Sequence, residues 1–90
     1  MELYHKRYEM LKKVRLYLTE NKDTITREYK VKIPANIRNN FPAISLSAWI
    51  LVNASKILMA ETKECEELKD MVKEYLLLNQ QIAVKDSLTK

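Results

Sequence analysis

Few side chains in this sequence are equipped for chemistry, and their spacing argues against catalysis. His5 is the only histidine and Cys65 the only cysteine, so no metal-binding His pair, Cys/His dyad or CxxC spacing exists. There is no glycine, which excludes the glycine-rich loops that cradle phosphates. Glu64, Glu66, Glu67 and Asp70 cluster on one helix. Without a cationic or metal-binding counterpart they read as a solvated face. No catalytic residue, metal site or cofactor is expected. A sharper signal is "EYKVKIPANI", Glu28 to Ile37. Tyr29, Val31 and Ile33 alternate with Glu28, Lys30 and Lys32, placing the lysines on the face a core does not use.

The charge distribution points the same way. The net charge is +4. Residues 1–40 hold ten lysines and arginines against five acids, whereas residues 41–90 hold six lysines against seven acids. A basic N-terminal half suggests an anionic partner.

The elements that must position these residues are mostly helices. Ninety residues fit one domain with a modest core. Without glycine, turns needing positive φ fall to Asn or are absent, which favours helices. Tyr4, Tyr8, Leu11, Val14 and Leu18 share one face of a first helix within residues 1–21. "TENKDT" ends it.

Residues 26–33 read as a strand. Pro34 closes it or confines it to an edge. "PANIRNNF" reads as a short helix, ended by Pro42. Ser45 and Ser47 are candidate N-caps. The helix they open, "AWILVNASKILMA", is apolar nearly all round and needs cover from a second copy.

Residues 61–86 form a C-terminal amphipathic helix. Its seam is Cys65, Leu68, Val72, Tyr75, Asn79 and Ile82, with Asn79 at a position able to set register. Packing on its own domain explains the seam equally well. Whether it continues the preceding helix is left open. No apolar run is long enough to span a membrane. The single cysteine and absence of a signal peptide fit the cytoplasm.

A lone strand must find a partner. The economical one is its own copy across a two-fold axis, giving a homodimer. Tyr29, Val31, Ile33, Trp49 and Ile50 form the expected dimer interface. A two-stranded ribbon of this size fits the major groove of double-stranded DNA.

Here the chain resembles a known family. "EYKVKIPANI", a short helix and then "SLSAWILVNASKILM" resemble the ribbon-helix-helix repressors of the MetJ, Arc and CopG kind, over residues 26–60. "KVKIP" matches the end of their strand, and "SLSAWI" is similar to the start of their second helix. The turn between helices commonly uses glycine in that family; Phe41 to Ile44 fill it here. "KVKIPANIR" is also similar to AbrB-type swapped hairpins, but those continue with strands.

The first resemblance implies a mainly α fold with an N-terminal helix, one strand paired across a dimer, and two to three further helices. It implies a DNA-binding repressor or plasmid or viral factor. Glu28, Lys30 and Lys32 would read bases. Ser45 and Ser47 would sit where helix N–H groups meet a phosphate, and Arg27 and Arg38 would add backbone contacts. The alternative is a small helical interaction or inhibitor protein without nucleic-acid contact. It would use Tyr4, Tyr8 and Leu11 or the Cys65–Ile82 helix. Membrane-surface binding by the mixed-charge first helix ranks last.

Overall fold

A computed structural model describes residues 2–89. Four helices are present among them: α1 (Glu2–Glu20), α2 (Lys22–Tyr29), α3 (Ala43–Met59) and α4 (Glu67–Thr89). The first helix has the expected bounds, because its apolar stripe gives Leu11, Val14 and Leu18 a core to face.

The strand is not there. No strand occurs among the described residues, and the ribbon-helix-helix fold is corrected to an all-helical one. The helix resumes at once after Asn21, whose N–H and side chain both bond the Tyr17 carbonyl while its own carbonyl accepts from Ile25. α2 therefore takes residues 26–29 from the expected strand. Lys30 ends α2 in the left-handed region, φ 56°. This conformation costs a non-glycine residue about 1–2 kcal/mol. Asn40 (φ 60°) and Cys65 (φ 52°) take the same conformation, so Lys and Cys share a role expected of Asn alone.

Residues 31–34 are extended without pairing, and 35–40 are turns and bends rather than the expected short helix. The alternation nevertheless holds in burial. Tyr29, Val31, Ile33 and Ile37 are in the core; Lys30 and Lys32 are outside. Side chains, not a sister strand, satisfy the backbone. Trp49 Nε1 donates to the Lys32 carbonyl at 2.8 Å, Lys56 Nζ to the Lys30 carbonyl at 3.2 Å, and Arg15 Nη1 to the Ile37 carbonyl at 3.0 Å. The Ile37 N–H closes a turn on Pro34.

α3 begins at Ala43 with Pro42 in the cap position, one turn earlier than expected, so Ser45 and Ser47 lie inside the helix. Residues 60–66 separate α3 from α4, and the two are not continuous. Lys69 Nζ caps the carbonyls of Ala60 and Thr62 in this linker.

α4 packs on both α1 and α3. It runs antiparallel to α1, with Tyr4 joined to Asp86, Arg7 to Asn79 and Tyr17 to Glu67. It is also antiparallel to α3, with Ser47 bonded to Tyr75 near one end and Ala60 to Lys69 near the other. The slab measures 43 × 29 × 17 Å, and its thin dimension admits only two layers of helices.

Trp49→Phe should keep most of the packing but orphan the Lys32 carbonyl, lowering urea-unfolding stability by about 1–3 kcal/mol. Lys32→Ala should change it by less than about 0.5 kcal/mol, because that side chain points outward. Equal losses in both variants would contradict the extended segment.

Candidate functional site

The sequence-derived candidates do not converge. Arg27 is exposed and pairs with Glu28 at 3.3 Å. Glu28 also accepts from Thr62 at 2.8 Å, and that bond, then Arg27, holds its carboxyl below the usual carboxylate range. Lys30 and Lys32 are exposed, each with its carbonyl engaged as described. Ser45 is half-buried, and Ser47 shares a hydrogen bond with Tyr75. Arg38 lies apart from these, in a groove of about 550 Å³ with Lys12, Arg15, Leu16, Thr19 and Glu20.

The residues expected to face a partner are core residues of their own chain. Tyr29, Val31, Ile33, Trp49 and Ile50 are all buried. Tyr29 ties α2 to the α3–α4 linker: its hydroxyl donates to the carbonyls of Glu64 (2.8 Å) and Cys65 (3.0 Å). Burial pushes its phenol pKa up. Burial does the same to Tyr17, beside Cys65 and Glu67. Tyr4 is raised chiefly by its hydrogen bond to Asp86.

Chemistry-bearing residues stay dispersed. His5 is exposed, 3.8 Å from Glu9. The acids around Glu67 and Asp70 lie in the first turn of α4, where the helix dipole favours negative charge. No cluster of three metal-ligating side chains occurs among the described residues. No described helix is long and apolar enough to cross a membrane. In the seam of α4, Leu68, Val72, Tyr75 and Ile82 pack within the chain, and Asn79 accepts from Arg7 at 3.0 Å.

What the molecule does present is an apolar surface on α3. Ile44 (80%), Val52 (81%) and Met59 (80%) are almost fully exposed, and Leu51 is half-exposed. Ala48 and Ser55 lie exposed between them. These positions form a stripe about 100° wide at helical spacing. Lys56, beside it, is the only charged residue of α3. At the Ile44 end the stripe meets a groove of about 460 Å³ whose walls include Tyr4, Tyr8, Leu11, Ser47 and Tyr75. Tyr4 and Tyr8, expected as a partner-facing pair, are thus exposed at its edge, whereas Leu11 is buried. A smaller apolar strip, Leu77, Val84 and Leu88, runs along α4.

The all-round apolar character of α3 is visible in its sequence. Which side faces outward is not, because Trp49 and Ile50 are as apolar as Leu51 and Val52. Comparison with protein-family models, characterised proteins and solved structures finds no match to this chain.

The titrating groups set a stability window. Glu28 favours its charged form when folded, so its contribution is complete above the ordinary carboxylate pKa of about 4.3 and disappears as pH falls through its depressed value. Tyr4, Tyr17 and Tyr29 favour the neutral phenol, so theirs is complete below about pH 10 and disappears as pH rises through their raised values. Urea unfolding should give a plateau between about pH 5 and 9. Thr62→Val should shallow the acid limb, and a Glu28 NMR titration in that variant should return toward the ordinary value.

Proposed function

We propose that this protein is a small helical interaction module that acts by docking the outer face of α3 against a helix of another polypeptide. The observation carrying this reading is the contiguous exposure of Ile44, Leu51, Val52 and Met59 on one helix face. Patches on single-chain proteins seldom exceed roughly 300–600 Å², and larger ones usually mark interfaces. Four large side chains in one stripe reach that scale. The flanks carry polar groups, Ser47 and Lys56, as interface rims do. The dispersed His5, Cys65 and acids support a binding role over a catalytic one.

Val52→Glu/Met59→Glu should leave the circular dichroism unchanged and stability within about 0.5 kcal/mol per substitution, since both sites are exposed. The parent, diluted until monomeric, should bind anilinonaphthalene sulfonate through this stripe, and the variant should lose that binding. A monomeric parent whose dye binding the two substitutions leave unchanged would refute a docking face on α3.

A second reading, nucleic-acid binding, keeps support from the basic groove rather than from a ribbon. Lys12, Arg15 and Arg38 line one groove. Such a groove reads phosphates, not bases. On this reading, duplex DNA binds at low salt, and Lys12→Ala/Arg38→Ala reduces the slope of log K against log salt by about two. Absence of binding at low salt removes the reading.

A further inference from the structure

We infer that the occupant of the α3 face is a second copy of this chain, its α3 lying antiparallel to the first about a two-fold axis between Leu51 and Val52. The inference rests on the docking-face reading above and names its partner.

The stripe is its own complement. Reversing α3 about the Leu51–Val52 midpoint exchanges Leu51 with Val52, Ala48 with Ser55 and Ile44 with Met59. All six are exposed, so the pattern of exposed stripe residues maps onto itself. On an ideal helix Ala48 and Ser55 fall nearest the middle of the stripe, with the larger side chains to either side. Small residues on the centre line let two helix axes approach to the roughly 8–10 Å of packed helices. Each large side chain then meets a large one, as an isologous interface requires.

Charge and surface agree with this geometry. α3 contains no acid and one base, so no carboxylate enters the seam. The reversal sets Lys56 opposite the partner's Ser47, about 14 Å along the axis from the partner's Lys56 at 1.5 Å per residue. Like charges are therefore kept apart. The four large side chains of the stripe and Tyr8 at its rim are half to four-fifths exposed, so pairing removes apolar surface from water along the whole length of α3, which a stable interface requires.

The ends of the seam have a place to go. Met59 of one copy comes to Ile44 of the other, at the mouth of the groove bounded by Tyr4 and Tyr8. A thioether fills an irregular aromatic-edged gap well.

A charge exchange across the axis tests the register on the full chain. Ala48→Lys alone and Ser55→Glu alone should each weaken dimerisation more than about tenfold in sedimentation equilibrium, because each buries an unpaired charge. The Ala48→Lys/Ser55→Glu double variant should regain dimerisation to within about tenfold of the parent, since each introduced ammonium would meet the introduced carboxylate of the other copy. Without recovery, the antiparallel register is overturned. A parent that stays monomeric while its dye binding is still lost in Val52→Glu/Met59→Glu overturns self-pairing but not the docking face. A monomeric parent with dye binding unaffected by those substitutions overturns both.

Discussion

The carbonyls of residues 30–37 are the constraint around which this chain is arranged. The segment is too short to form a hairpin and meets no second strand among the described residues, yet it crosses the core. An unsatisfied buried carbonyl costs about 1–3 kcal/mol. Trp49 and Arg15 meet that demand at the part-buried carbonyls of Lys32 and Ile37, from two different helices, and Lys56 bonds the Lys30 carbonyl at the surface. Each bond also fixes a packing relation. The indole bond sets the rotation of α3 so that Trp49 and Ile50 face inward. The guanidinium bond binds the loop after Ile33 to α1. Tyr29 completes the frame by joining the end of α2 to the linker before α4.

That frame explains what was legible in the sequence. The stripe of α1 and the apolar positions of α4 have periods that only a helix satisfies, and both are helices with one buried face. The alternation of Tyr29, Val31 and Ile33 with Lys30 and Lys32 also reports burial faithfully. It does not report pairing. Period-two patterning marks an extended chain with one face on a core, and a lone extended segment on helices has the same signature as an edge strand. The deciding fact, an indole N–H within reach of Lys32, depends on residues seventeen positions away. Local pattern does not contain it.

The same limit applies to the candidate surface. A helix apolar all round signals that two sides need cover, as α3 does. Composition alone does not say which side its own chain covers. Trp49, Ile50 and Leu46 take the inner side, where the indole N–H reaches the Lys32 carbonyl. Leu51, Val52 and Met59 were left outside as a consequence. The exposed face of α3 is thus determined from within, by the hydrogen-bonding needs of a segment on its opposite side.

This coupling bears on why a chain of this size carries an exposed apolar stripe at all. A two-layer slab places each helix between a core and water, and α1 and α4 meet that condition with a largely polar second face. α3 lacks the charges that would make its second face polar: its one lysine is turned to a backbone carbonyl. Charge is concentrated elsewhere, on the basic surface of α1 and the acids opening α4. Adding a charged residue or two at Val52 or Met59 would blunt the face at little cost to the core, since neither packs inside. A surface cheap to blunt yet left apolar, and matched to its own reversal, has the physical character of an interface.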